Sequence, residues 1–219
     1  MLRQTFLAAL LAGLSWGALA ATVVASSDLE SGTSGWTGAY ALVPNFGNSY
    51  LSSDATAGNA VTFSFTVAAN TVATGAQVSV LFGAVDSWDN GNAGYGPDYF
   101  NVALDGNSKF SAVFDNYQNL GPTTAAGLTS VLYGQNIMGS GYNDAVYQLT
   151  VNLGTLSAGT HTLTFFASGA GWQGGGDESF ALDNLKVTGT VTAVPEPESL
   201  ALALAGVAVV GVAARRRQR

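Results

Sequence analysis

Acidic and amide side chains crowd with aromatics at two places in this 219-residue chain. The first is Asp86-Ser87-Trp88-Asp89-Asn90-Gly91-Asn92, running through Tyr95 to Gly96-Pro97-Asp98. Its opening has the look of an Asp-rich calcium loop, but the EF-hand spacing and the closing Glu are missing. Saccharide sites use the same ingredients. An aromatic face packs on sugar C–H groups, and amides or carboxylates bond the hydroxyls. On that reading Asp86, Trp88, Asp89 and Tyr95 are ligand contacts. The same string suits an ordinary Asx-rich loop around a packed Trp, and both readings stand. The second place is Gly169-Ala170-Gly171-Trp172-Gln173-Gly174-Gly175-Gly176-Asp177-Glu178. So many glycines put Trp172 in a loop, free to present its face to a ligand. The alternative is a tight crossing that the glycines permit, with Trp172 plugging the core. Asp177 and Glu178 are adjacent, so on an extended chain they point apart.

Other chemistries find little footing. There is no cysteine, so thiol catalysis and thiolate metal sites are excluded, and the single His161 rules out a multi-histidine zinc site. His161 lies in Thr160-His161-Thr162, where it reads as filler on a polar strand face. No nucleophile-elbow motif supports a serine triad. A carboxylate pair could hydrolyse glycosides, but the sequence does not select two acids from the body's twelve. Short length and a body without arginine argue against a polysaccharide lyase. No catalytic residue is therefore assigned. Between the two chain ends the charged groups are Lys109, Lys186 and those twelve acids, a net charge near −10. Phosphate backbones and anionic lipid headgroups would repel such a surface, which excludes nucleic acid as a partner.

The elements that must hold these residues are strands. Val61, Phe63, Phe65 and Val67 alternate with Thr62, Ser64 and Thr66. The same period of two runs through Val78–Phe82, Phe100–Leu104, Phe110–Phe114, Tyr147–Leu153 and Leu163–Ala167. Asp105-Gly106 is a hairpin turn, and Ser157-Ala158-Gly159 reads as another. Asn116–Tyr142 is Gly-rich and weakly periodic, and reads as a long surface loop with a short helix. Inward parity switches from Phe180 and Leu182 to Leu185 and Val187, which places a bulge at Asp183-Asn184. The expected fold is all-β, an antiparallel β-sandwich.

The ends carry addresses. Residues 1–20 have one charge, Arg3, then an apolar run from Phe6 and the small residues of Ala18-Leu19-Ala20. That is a signal peptide, with signal peptidase cutting after Ala20. At the other end stand Val194-Pro195-Glu196-Pro197, an apolar run from Ser199 to Ala214, then Arg215, Arg216, Arg217 and Arg219. An apolar helix before a basic cluster stops transfer with the arginines inside. Residues 199–214 reach about 24 Å as a helix, slightly short of a bilayer core, which suits a temporary transmembrane anchor. The prolines hold the segment before it extended and open to a processing enzyme. The expected division is a signal peptide at 1–20, a sandwich at 21–190, a linker at 191–198, and a transmembrane helix with basic tail at 199–219.

Val194–Arg219 resembles the PEP-CTERM sorting signal of Gram-negative bacteria in motif, order and position. The resemblance implies an exosortase-type transpeptidase as partner, removal of the tail after transient inner-membrane anchoring, and a host that makes exopolysaccharide. Two further segments resemble the terminal strands of galactose-binding-like jelly rolls, the fold of many carbohydrate-binding modules. They are Asp28-Leu29-Glu30-Ser31-Gly32 with Trp36, and Phe180-Ala181-Leu182-Asp183-Asn184-Leu185-Lys186-Val187. That resemblance implies a structural calcium ion between Asp28 or Glu30 and Asp183. Calcium takes six to eight oxygens, and a half-buried Asp in a last strand needs a partner. The other reading makes Asp28 and Glu30 solvated strand-end acids and Asp183 a turn former. The function these features suggest is a non-enzymatic, exported surface or matrix protein that binds glycan, such as the host's exopolysaccharide. The alternatives are a structural matrix or adhesion protein without a saccharide site and, after it, a secreted glycoside-active enzyme.

Overall fold

The computed structural model describes residues 20–38, 41–43, 50–53, 60–92, 94–137, 141–174, 177–195 and 197–217. Residues 1–19, where a signal peptide is expected, and Glu196 of the sorting motif lie outside them. Strands run β1 (Thr22–Ser27), β2 (Trp36–Thr37), β3 (Ala41–Val43), β4 (Tyr50–Ser53), β5 (Val61–Val67) and β6 (Thr71–Asp86). They continue as β7 (Asp98–Leu104), β8 (Asn107–Phe114), β9 (Leu128–Gln135), β10 (Asp144–Leu156), β11 (Gly159–Ser168) and β12 (Glu178–Ala193), before helix α1 (Pro197–Arg216). One sheet has the order β3-β4-β12-β6-β10-β9, with β1 also on β12; the other is β2-β5-β11-β7-β8. All pairs are antiparallel. From β5 onward the chain steps repeatedly between the sheets, as in a jelly roll.

The period-2 pattern does what it must in a two-sheet fold. In β5, Val61, Phe63, Phe65 and Val67 are buried while Ser64 and Thr66 face water. Opposing aromatics close the core. Phe82 of β6 stacks on Phe100 of β7 with ring centroids 3.9 Å apart, one from each sheet. Trp36 packs on Phe63 and Phe165, and its indole N–H donates to Ser27 Oγ at 2.9 Å. The Asp105-Gly106 hairpin is present, with φ of 50° and 77° at its two centre residues. The bulge is present too: the β6–β12 register shifts between Asp183 and Lys186, with Asn184 at φ 52°.

Four expectations are corrected. Asn116–Tyr142 contains a strand, β9, and no helix among its described residues. β9 is an edge strand with one partner, β10, and most of its side chains are exposed, so its alternation is faint. Ser157-Ala158-Gly159 is not a hairpin, because β10 and β11 belong to different sheets and the turn crosses between them. His161 does not sit on the polar face. It is buried, its ring 5.7 Å from that of Phe65, with Nδ1 2.7 Å from Asp105 Oδ2 and Nε2 2.9 Å from the Ser157 carbonyl. It thereby ties the β7–β8 hairpin to the β10–β11 crossover. Finally, α1 begins at Pro197, and its Leu202, Leu204, Val207 and Val209 are exposed. Among the described residues no helix is long and apolar enough to cross a membrane.

Candidate functional site

One end of the sandwich gathers the acids. There β6 ends at Asp86, β7 starts at Asp98 and β12 starts at Glu178, with Glu178 in register with Asp86. The 87–97 segment crosses from one sheet to the other, and the 169–177 segment crosses back beside it. They lie so close that side chains are excluded between them. A Cβ on Gly171 would stand 2.2 Å from the Gly96 nitrogen. The glycines of 169–174 thus serve a tight crossing, and Trp172 is not a loop-exposed face.

Trp172 and Trp88 plug the end of the core. Trp88 is 0% exposed and Trp172 8% exposed, and their rings meet edge to face with centroids 4.8 Å apart. Trp88 also packs edge-on against Phe82 and Phe114, and its Nε1–H donates to the Ser179 carbonyl at 2.7 Å. Neither ring is available to a saccharide. Trp88 thus fills the end of the core with aromatic contacts to residues of both sheets, Phe82 of β6 and Phe114 of β8. Asp86 is likewise buried and lies outside the cleft described next.

Above the plug lies an open cleft of about 200 Å³. Its rim is aromatic: Tyr95, Tyr117 and Tyr142 are 58%, 49% and 40% exposed. Its floor and walls are polar, from Ser87, Asp89, Gln173 and Asp177. Ser87 Oγ is fixed by the Asp177 carbonyl and carboxylate, both at 2.8 Å. Tyr117 is held through its backbone N–H, which donates to the Trp88 carbonyl at 3.2 Å. Of the expected ligand contacts, Tyr95 and Asp89 therefore line the cleft, and Asp86, Trp88 and Trp172 do not. Tyr117, Tyr142, Gln173 and Asp177 complete it from three other segments. Asp177 and Glu178 do point apart: Asp177 lines the cleft and Glu178 is buried.

Beneath the cleft, Asp89, Asp98 and Glu178 each bring a carboxylate oxygen into a group within 4.8 Å of one another. Asp98 and Glu178 are 0% exposed and Asp89 4%. Backbone amides meet part of the charge. Asp98 Oδ2 accepts from the Asp89 N–H at 2.6 Å, and Glu178 Oε2 from the N–H groups of Gln173 and Gly174 at 2.6 and 3.3 Å. Asp89 Oδ1, Asp98 Oδ1 and Glu178 Oε1 are buried and accept no hydrogen bond. Burial pushes the Asp98 carboxyl up to about 7, and the negative charges of Glu178 and Asp89 push the same way. Burial likewise raises Glu178 and Asp89, with help from Asp177 on both and from Asp115 on Asp89. This donor set, all oxygen, is of the kind that could hold a hard divalent cation.

The expected terminal calcium group is arranged differently. Asp28 and Glu30 flank Leu29, which takes a left-handed φ of 60°. Burial raises the Asp183 carboxyl, and Glu30 and Asp28 raise it further, so the three are electrostatic neighbours. Yet both Asp183 oxygens are used by Asn184, from its N–H at 2.6 Å and its Nδ2 at 2.9 Å. Asp28 Oδ1 accepts from the Glu30 N–H at 3.2 Å, a turn contact. Among the described residues, the trio whose carboxylate oxygens converge is Asp89, Asp98 and Glu178, not Asp28, Glu30 and Asp183.

Residues 193–217 match the PEP-CTERM protein-sorting motif. The chain thus carries the signal of a secreted, envelope-sorted protein processed by an exosortase-type enzyme. No curated protein is significantly similar to the chain in sequence. Several solved structures align with the chain at low identity. The carbohydrate-binding module TmCBM27, described for specific mannan recognition, aligns at 10% identity with a TM-score of 0.44, over 78% of this chain and 98% of that one. The 4-O-methyl-α-glucuronidase BtGH115A, specific for decorated arabinogalactans, aligns at 15% identity and TM-score 0.39, over 76% of this chain and 17% of its own. The Podospora anserina GH26-CBM35 β-(1,4)-mannanase aligns at 15% identity and TM-score 0.30, over 81% of this chain and 28% of its own.

Proposed function

We propose that the body of this exported protein is a non-catalytic saccharide-binding module of a Gram-negative cell surface, and that its ligand is a neutral glycan such as the host's exopolysaccharide. The observation that supports the reading is the cleft rimmed by Tyr95, Tyr117 and Tyr142 and lined by Ser87, Asp89, Gln173 and Asp177. Exposed tyrosines offer apolar faces to sugar C–H groups at low entropy cost, and the amide and carboxylates match hydroxyls. Acids at the cleft, with no lysine or arginine among its described lining residues, favour a neutral ligand over an anionic one. In this reading the exosortase-type enzyme removes the tail as the body is sorted to the surface.

The test is affinity electrophoresis and a glycan array on the wild-type chain and on Tyr95→Ala, Tyr117→Ala and Tyr142→Ala. Each truncation is expected to weaken binding about tenfold, the scale of one lost stacking contact, and to leave the melting temperature in place. Failure of the wild-type chain to bind any neutral glycan, including the host's own polymer, would refute the reading. The protein would then stand as a structural matrix component.

A further inference from the structure

We infer that Asp89, Asp98 and Glu178 form a calcium-class cation site beneath the cleft, which fastens the ends of the two crossing segments to the sandwich. Three carboxylates within 4.8 Å of one another, two of them completely buried, would be a poor arrangement on their own. Isolated buried charge costs many kcal/mol and is found paired or on a metal. Among the described residues no lysine or arginine supplies the pairing, and the His161–Asp105 ion pair lies elsewhere in the fold. The second observation is independent of the clustering. Each member keeps one oxygen buried without a hydrogen-bond donor, although the backbone serves the other oxygen of Asp98 and of Glu178. Amides thus orient these carboxylates and leave an acceptor free on each, as ligand carboxylates are commonly held by outer hydrogen bonds.

Oxygen-only donors select a hard cation, and an exported protein meets calcium. Calcium tolerates irregular geometry, and backbone carbonyls and water commonly complete its six to eight ligands. The three residues come from the 87–97 crossing, from the first position of β7 and from the first position of β12. A bound ion would therefore cross-link both sheets at the end where Tyr95 and Gln173 line the cleft. Asp89 belongs to both the cleft lining and this trio, so the test of the cation site reads metal and stability alone.

The experiment titrates the full chain, purified in mild detergent and stripped with EDTA, with calcium chloride at pH 7.5 by calorimetry. Thermal unfolding follows in EDTA and in calcium. Wild type is expected to take up one equivalent and to melt about 5–10 °C higher at calcium about a hundred times its Kd. Asp98→Asn and Glu178→Gln should each weaken calcium binding at least tenfold. In EDTA they should melt no lower than wild type, since each removes one of the mutually repelling charges. Asp183→Asn should keep the full calcium response. Absence of binding and of any shift in wild type would overturn the inference. So would a response that Asp98→Asn and Glu178→Gln leave intact, or one that Asp183→Asn abolishes. Should those two variants not fold, Asp89→Asn at the least buried member takes their place: a tenfold loss of calcium affinity supports the site, and unchanged affinity overturns it.

Discussion

Truncating Trp88 to alanine separates a core plug from a ligand face. The side chain is fully buried, contacts the rings of Phe82, Phe114 and Trp172, and donates 2.7 Å to the Ser179 carbonyl. Removing a buried Trp in such a setting costs about 3–5 kcal/mol, because the cavity cannot collapse between two rigid sheets. The lost indole hydrogen bond falls within that range, since Ser179 is only half-buried and water can replace the donor. For a domain of this size each kcal/mol moves Tm by about 2–4 °C, so Trp88→Ala should melt about 6–20 °C lower. Tyr95→Ala, at an exposed rim, should stay within about 0.5 kcal/mol of wild type. Thermal and urea unfolding of the two variants, side by side with the glycan measurement, make the comparison. The reasoning fails if Trp88→Ala keeps wild-type stability and loses only ligand binding, for the ring would then be a contact surface and not a plug.

Two other perturbations follow from the same geometry. Gly171→Ala forces a methyl to within 2.2 Å of the Gly96 nitrogen. It should cost about 1–3 kcal/mol as an overpacked crossing, and a denaturation midpoint unchanged from wild type would refute the close approach. The His161–Asp105 clamp should leave a signature in pH. Burial alone would lower the His161 pKa, but its hydrogen bonds to Asp105 and Ser157 raise it above 6.5. Burial alone would raise Asp105, but its bonds to His161 and the Thr162 N–H bring it below 3.8. The histidine part is fully present below 6.5 and fades as pH rises through the higher folded value. The aspartate part is fully present above 3.8 and fades as pH falls through the lower folded value. The stability gap between wild type and His161→Gln should therefore be widest between pH 3.8 and 6.5, and a gap independent of pH would contradict the clamp.

Much of the architecture was legible because it is written locally. Alternation in Val61–Val67 specifies a strand with one wet face wherever it ends up in the fold. Asp105-Gly106 sits in left-handed backbone that few other pairs tolerate. The change of parity at Asp183-Asn184 is itself the bulge, seen as a shift in which residues are apolar. β9 escaped because an edge strand buries little and needs no clean alternation; its pairing comes from the open side of β10. His161 was misplaced for a related reason. Threonines on both sides read as a polar face, whereas the alternation of β11 puts the residue between them inward.

The site followed the same division. Its ingredients, acids and aromatics at 86–98 and 169–178, stand out in the sequence, and so does the divergence of Asp177 from Glu178. Which aromatics stay exposed does not, because Trp88 and Trp172 become buried only when two segments some eighty residues apart cross over each other. Tyr95, Tyr117 and Tyr142 meet through three separate connections, and no spacing between them encodes the cleft. The convergence of Asp89, Asp98 and Glu178 depends on β6, β7 and β12 ending at one level of the sandwich, a matter of sheet order and register. The sequence by itself determined the sorting motif at the C-terminal end, the strands and the Asp105-Gly106 turn, since these are short-range preferences of the backbone and of hydrophobic period. Only the tertiary structure decided which side chains are plug, rim and cation trio, because burial is a property of what packs opposite and not of the residue alone.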